Sequence, residues 1–562
     1  MKNYFVDLQK EFFSPDESNF KLLTERIGLY YKKIFKKIDL DSPRIKLDKI
    51  FTYEEELSKS FIPDQGLNIE ELSEKCAEAF EGVIRFHHPD TLFNITPPPA
   101  IDTVAISAIV NMYNPNLLWD YVSGKILLYE LKVIKYLCDL AGFDYRKAGG
   151  FSCFGGKATL MYAVKEGINK TNRDAVKKGL KGDNVVITAK ACHYAIESAC
   201  NYLGLGHEAC VRVDCNEKEE IIIDKLEEVI RKNLNDNKKI AAIVLSGGGT
   251  LDVNIDPIKR AVELRNKIVK EFNLNYIPHV HVDSVIGWLW LFFKDYDFKG
   301  NDLKIEKEVL EKIKIVYNRI AEIKYADSFS ADFHKTGFCP YVSSFYISRS
   351  ADDLSHLDKS GEVENVSYKY GDIQMYQSTI ENSRSGAGIL SAWLVINKFG
   401  MKGFQKYVAY LLSTSVYMRK TIKQQYGDEF ETLNDFALGH CIMIKPKLGK
   451  NDKSFYKMIH EPDEVKKYYN DYCADLDKYI SFEMLNSNLK YPLLGYLSKY
   501  RQRTMNTGLA AFRIFPSSLY YNKKKCDEVL KKIIMLKKKF EKERGTKQKD
   551  FNNYLTHDHQ PS

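Results

Sequence analysis

An α/β fold is predicted: a mostly parallel sheet covered by helices, with a helical segment before it and a smaller α+β domain after it. Three observations predict this. Between residues 184 and 283, short apolar runs rich in β-branched residues alternate with amphipathic helical stretches. The TPPP stretch at residues 96–99 ends the helical pattern that precedes it. From about residue 386 the alternation gives way to one long helical run and then to isolated strand-like runs.

Residues 1–100 read as the helical N-terminal segment. KLLTERIGLYYKKIFKKI and EELSEKCAEAFEGVI place apolar residues at helical spacing, with FIPDQG as a turn between them. Residues 101–385 form the expected large domain. There ILLYELKVIKYLCDLAGF is helical, DNVVITA a strand, HYAIESACNYLG a helix and ACVRVD a strand. The order continues with IIIDKLEEVIRKNL as helix, KIAAIVLSGG as strand, DPIKRAVELRNKIVKEF as helix and IPHVHVDSV as strand. Strands so alternated pair in parallel, are buried on both faces, and gather ligands at their carboxyl ends. Residues 386–540 are the expected small domain, helical through GAGILSAWLVINKFGMKGFQKYVAYLLSTSVYMRKTI and then strand-like at CIMIKP and AAFRIFP. The charged and polar stretch 541–562 is expected to be a disordered tail.

Composition narrows the function classes. Hydrophobic residues make up 44% and charged residues 28% of the 562, an ordinary globular balance. The net charge of +8, from 83 Lys+Arg against 75 Asp+Glu, is weak over this length and implies no nucleic-acid partner. Cys192, Cys200, Cys210 and Cys215 lie close together without paired C-x-x-C spacing, and the eleven cysteines are odd in number. Free thiols in a reducing compartment are expected, with no metal site. MKNYFVDLQKEFFSPDE lacks the apolar stretch of a signal peptide. The most apolar run, VHVDSVIGWLWLFF at residues 280–293, is shorter than a bilayer span and carries His281 and Asp283, so it reads as a buried strand and its exit. A cytoplasmic protein that neither enters nor binds a membrane is expected.

Five constellations carry chemistry. In SFSADFHKTGFCPY, residues 328–341, a strand-like segment ends at Asp332, His334 and Lys335 before a Gly/Pro turn. Apolar and aromatic flanks there would disfavour the ammonium form of Lys335, and the neutral amine is the nucleophile that forms Schiff bases. In HVHVDSVIGW, Asp283 ends an apolar strand, where a carboxylate needs a cationic partner or caps the next turn. GGFSCFGGKATLMYAVKEG, residues 149–167, reads as a glycine-rich loop before a helix, the arrangement that binds phosphate on backbone N–H groups. ITAKACHYAIESACNYLGLG puts His193 between a strand and a helix, where its ring can lie over a planar ligand. VLSGGGTLDVNIDPI supplies Thr250 and Asp256 after another strand, Asp256 being also a candidate helix cap ahead of Pro257.

In this order, the five segments resemble the group II amino-acid decarboxylases, a fold-type I family of pyridoxal 5′-phosphate enzymes that includes glutamate, aromatic amino-acid and tyrosine decarboxylases. The resemblance runs from about residue 85 to 520. It implies that Lys335 forms the Schiff base with the cofactor, that Asp283 pairs with the pyridinium nitrogen and that His193 stacks on the ring. It places Gly155, Gly156, Lys157, Ala158 and Thr159 on the phosphate side, Thr250 among the cofactor contacts and His334 beside the lysine. It gives Arg513, in AAFRIFP, the substrate carboxylate. In the loop KSGEVENVSYKYGD it offers Tyr368 or Tyr370 as proton donor. The implied reaction converts an L-amino acid to its amine and CO2, in a homodimer.

The motif SADFHKTGFCP also resembles sphingosine-phosphate lyase, which makes a carbon–carbon lyase the alternative. A non-catalytic protein that kept the fold is a further alternative, opposed by the intact Lys335 and Asp283. Several positions depart from the family pattern. Lys157 stands where a small hydroxyl residue is usual, HVDS replaces HVDA, Trp288 replaces a glycine, and a lysine-rich helical insert occupies about 301–324. These departures leave the substrate amino acid open.

Overall fold

The computed structural model describes residues 11–48, 51–355, 357, 369–449, 452–486 and 491–546. The chain forms two compact units. Among the described residues, one takes the chain from residue 11 to Thr91, Asp475–Leu493 and Lys531–Thr546; the other takes Leu92–Ala474 and Leu494–Leu530.

In the first unit, the helix Ile69–Ala79 starts at a capping box between Asn68 and Glu71. It is tied to the helix Phe20–Phe35 by Lys33, which pairs with both Glu70 and Glu74. The terminal helix Lys523–Thr546 carries past residue 541, where a tail was expected to begin; residues from 547 lie outside the described residues.

The second unit is built on a seven-stranded sheet. Its strands are β1 (Gly149–Cys153), β2 (Asn184–Ala189), β3 (Cys210–Val213), β4 (Lys239–Ser246), β5 (His279–Asp283), β6 (Ser328–Asp332) and β7 (Ser344–Ser348). They lie in the order β1-β7-β6-β5-β4-β2-β3. From β6 to β3 all neighbours pair in parallel, and β7 runs antiparallel to both β6 and β1. The inner strands are covered on both faces, which is why β2 and β4 read as unbroken apolar runs.

One element departs from the sequence reading. GGFSC was expected to be loop, yet it is the edge strand β1. Its glycines serve contact rather than flexibility. A Cβ on Gly150 would stand 2.5 Å from the Tyr346 carbonyl oxygen, and one on Gly149 2.6 Å from Leu354 Cδ1. Only Phe154 and Gly155 separate β1 from the helix α1 (Gly156–Thr171).

The run after β5 leaves the sheet as a 3₁₀ helix, Gly287–Phe293, buried throughout. Gly287 packs so closely under β4 that a Cβ there would stand 1.9 Å from the Gly247 carbonyl oxygen. The lysine-rich insert forms the helix Lys307–Ile320, anchored by buried Val309, Ile313, Val316 and Ile320. Asp256 is no helix cap. Fully buried, it accepts the N–H groups of Ile221 and Ser246, both at 2.7 Å, and burial pushes its carboxyl up to about 7.

The helical run Ala387–Gln425 breaks at Gly400, where φ is +57°. Beyond it lie β8 (Phe430–Thr432), β9 (Ile442–Pro446), β10 (Leu493–Tyr500) and β11 (Leu509–Ile514). These are antiparallel in the order β10-β11-β9-β8, part of a second, five-stranded sheet. No helix among the described residues is long and apolar enough to cross a membrane.

Candidate active site

The parallel strands end at a common edge, and a cleft of about 270 Å³ opens there. β5 delivers Asp283, the turn after β6 delivers His334 and Lys335, the loop after β2 delivers His193, and the loop after β4 delivers Thr250. The N-terminus of α1 closes the opposite wall with Gly156 and Lys157. These residues are scattered over some 180 positions of sequence, and the sheet topology alone brings them together.

Lys335 sits in the short turn Phe333–Thr336 that caps β6. Its Nζ stands 2.9 Å from Asp332 Oδ2. Burial works against the charge, but the Asp332 carboxylate, with Asp283 and Tyr341 behind it, outweighs burial and holds the ammonium above its ordinary value. This corrects the sequence expectation of a neutral amine. The apolar flanks are present, but a carboxylate three residues upstream on the same turn dominates them.

Asp283 lies on the cleft floor, where Ser330 Oγ donates to its Oδ1 at 3.4 Å. Shielding from bulk water pushes its carboxyl up to about 6, against a smaller opposing pull from Lys335. The sign follows directly. A folded-state value above the ordinary 3.8 means that protonated Asp283 stabilises the cofactor-free fold at low pH. That contribution is lost as pH rises through about 6, and above it the floor carries a shielded anion facing an open cleft.

His193 is neutral. Burial, reinforced by Lys335, Arg503, Arg212 and Lys157, lowers it to about 3. Its Nδ1 accepts the Ala195 N–H at 3.1 Å, which leaves the ring proton on Nε2. His334 is likewise held down by burial. Its Nδ1 accepts the Ser343 N–H at 3.3 Å, and its ring packs on Tyr341 with centroids 4.4 Å apart. Tyr341 in turn bonds Thr96 at 2.9 Å between hydroxyls.

At Gly156 a Cβ would stand 3.0 Å from Asp332 Oδ2, a tight approach, and 3.6 Å from Lys335 Nζ, in the space in front of the lysine. Gly156 and Lys157, the first two residues of α1, line this space.

Not every expected residue lines the cleft. Ala158 and Thr159 are fully buried and turned away from it; the Thr159 hydroxyl bonds the Gly156 carbonyl one turn back at 2.7 Å. Both already give their N–H groups to the Gly155 carbonyl. Gly155, with φ at +129°, makes the turn into α1 without lining the cleft. Tyr370 is 68% exposed and also apart from the lining, while Tyr368 lies outside the described residues.

Arg513 lies in β11, outside the cleft lining. Its Nε donates to the Phe93 carbonyl at 3.1 Å, and Gly495 opposite leaves room for the guanidinium. It is 6% exposed and has no carboxylate partner among the described residues; burial lowers its pKa. Sequence reasoning missed Leu160, Val285 and Ile286 as apolar walls of the cleft, and gave no role to Asp332 although it quoted the segment that holds it.

The site fits pyridoxal phosphate. It offers a lysine, a carboxylate with no ion pair among the described residues, a flat neutral imidazole and a helix N-terminus opening on a glycine. Comparison with known proteins agrees. Residues 313–443 match the family described as the pyridoxal-dependent decarboxylase conserved domain. An L-2,4-diaminobutyrate decarboxylase of Acinetobacter baumannii is 20% identical over 397 residues, covering 67% of this chain and 72% of its own length. Mouse CSAD in apo form superposes with a TM-score of 0.73 at 17% identity, over 92% of this chain and 98% of that one. Oryza sativa TDC, crystallised with PLP and tryptamine, superposes with a TM-score of 0.71 at 12% identity, over 94% and 99%. From the strand order, the residues at the strand ends and these likenesses, we conclude that the chain has the fold-type I architecture and that its residues 313–443 match the pyridoxal-dependent decarboxylase conserved domain.

Proposed function

We propose that Lys335 carries the cofactor and that this chain uses it to release CO2 from an L-amino acid. The observation that supports this most is the convergence of Lys335, Asp283 and His193 on one cleft at the carboxyl ends of parallel strands. When bound, pyridoxal phosphate supplies an electron sink for the bond to be broken. Asp283 faces the cleft with no cation of its own and keeps a ring nitrogen protonated. His193, uncharged, covers one ring face without repelling that nitrogen. Gly156 and Lys157 receive the phosphate at the N-terminus of α1, with Gly155, Ala158 and Thr159 shaping the turn behind them. Thr250 and His334 fix the edges of the ring.

Arg513 is assigned the substrate carboxylate. A guanidinium buried without a counter-ion is costly, and a substrate carboxylate would supply the missing partner. Phe93, whose carbonyl it holds, begins the segment that reaches Thr96 and, through Tyr341, His334. A two-pronged grip sets the Cα–carboxylate bond across the ring plane, an orientation worth several kcal/mol of barrier. Arg513→Lys keeps the charge and loses the fork. It is expected to lower turnover about a hundredfold, alike for every active substrate. Steady-state rates across several amino acids check this, and a loss confined to one substrate would move Arg513 to side-chain recognition.

A tyrosine, Tyr368 or Tyr370, returns a proton to the substrate carbon. The exposure of Tyr370 within its own chain suits a loop that reaches the site of a second copy, so the working unit is taken as a homodimer. The eleven cysteines, none in a disulfide, suit the cytoplasm. The test is a panel of L-amino acids given to the loaded enzyme. CO2 and the matching amine should appear with at least one of them. Cleavage of a phosphorylated amino alcohol to an aldehyde, with no CO2 from any amino acid, would favour the lyase reading.

A further inference from the structure

We propose that Asp332 is the positioning residue for cofactor capture: it holds Lys335 as an ammonium in the cofactor-free chain and accepts its proton when the lysine condenses with an aldehyde. The inference rests on the reading that Lys335 carries the cofactor.

The geometry leaves Asp332 little else to do. It is the last residue of β6 and is fully buried. Its backbone is pinned on two sides: its N–H donates to the Val285 carbonyl at 3.3 Å, and its carbonyl accepts the Trp288 Nε1–H at 3.3 Å. Oδ2 lies 2.9 Å from Lys335 Nζ and 3.5 Å from His334 Nε2. Oδ1 has no hydrogen-bond donor among the described residues. A carboxylate so placed is tolerable only with its cation beside it.

The other groups facing Lys335 do not share this role. Asp283, from β5, and Tyr341, from the loop after the lysine, act on it from farther away. His334 beside it and His193 from the loop after β2 are held neutral by burial. Lys157, from α1, also lines the cleft. Among the described residues, Asp332 alone forms an ion pair with Lys335.

Capture needs the free amine. In the proposed step the ammonium gives one proton to Asp332. The amine nitrogen then bonds to the aldehyde carbon, the carbonyl oxygen departs as water with the two remaining N–H protons, and a C=N bond is left. No electron is gained or lost. The carboxyl that remains is neutral, and it lies beside the Gly156 end of α1, where the cofactor's phosphate is received. Proton transfer thus removes an anion from the phosphate's seat as it frees the nucleophile.

The test mixes cofactor-free protein with pyridoxal phosphate, and separately with pyridoxal, from about pH 5.5 to about pH 9.5, and follows the absorbance of the C=N product. In Asp332→Asn the pH of half-maximal capture rate should fall by about one unit, about tenfold faster near neutrality. Both aldehydes should respond, because the hold is on the amine. Superimposable profiles would overturn the proposal, as would an acceleration with pyridoxal phosphate alone. Should Asp332→Asn fail to fold, melting temperatures decide. Lys335→Gln should melt several degrees lower than the natural chain, more so as pH rises, and Lys335→Gln with Asp332→Asn should recover the loss; a Lys335→Gln protein that melts like the natural chain overturns the pair. Covalent capture that persists in Lys335→Gln would instead defeat the lysine assignment itself.

Discussion

Lys335→Ala is expected to leave a protein that binds pyridoxal phosphate without a covalent link and releases CO2 from no substrate above background. On the proposed reading, two losses would coincide in this variant: the amine that would anchor the cofactor, and the lysine that would displace the product amine. A loss of at least four orders of magnitude, about 5 kcal/mol of barrier, is expected on that basis. The variant also removes the one lysine or arginine paired with Asp332 among the described residues, so a stability loss of about 3 kcal/mol should accompany it. The colour is the simplest readout: the natural protein should be yellow when loaded, and its colour should survive gel filtration, whereas the variant should elute colourless. Residual turnover within tenfold of the natural chain would remove Lys335 from the chemistry.

Asp283→Asn separates function from folding. In the cofactor-free chain, shielding raises this carboxyl to about 6, so above that pH the natural residue is a liability to the fold. The asparagine variant should therefore melt no lower than the natural chain at pH 8, and lose its relative advantage as pH falls below about 6 and the natural carboxyl takes up its proton. With cofactor bound the order should reverse, because on the proposed reading a protonated ring nitrogen would lack its counter-charge. A shift of two pKa units at that nitrogen corresponds to about 3 kcal/mol, so turnover should fall about a hundredfold. Near-natural turnover would mean that Asp283 serves only to end β5.

Much of this was legible in the sequence because it rests on periodicity. The alternation from Asn184 to Asp283 is written in β-branched runs and amphipathic helices, and the sheet follows it strand for strand. Lys335, Asp283 and His193 were legible because each stands at the exit of such a run. What escaped depends on partners far away in sequence. GGFSC looks like loop until Tyr346 and Leu354 are seen against its glycines. Asp256 looks like a cap until Ile221 and Ser246 are seen donating to it. The protonation of Lys335 was misjudged for a nearer reason: apolar flanks were weighed and the carboxylate three residues earlier was not, because only the turn after β6 shows that the two side chains meet. The buried guanidinium of Arg513 could be placed on a strand from AAFRIFP, but its lack of a counter-ion is a property of the fold alone.

The most direct test of the central claim is a peptide map of the loaded protein after borohydride reduction, which makes the cofactor link permanent. Among the described residues two lysines line the cleft, Lys335 and Lys157, and the proposed function assigns the cofactor to Lys335. The adduct should appear on the peptide containing Lys335 and on no other. An adduct on Lys157, or on any lysine outside the cleft, would contradict the account.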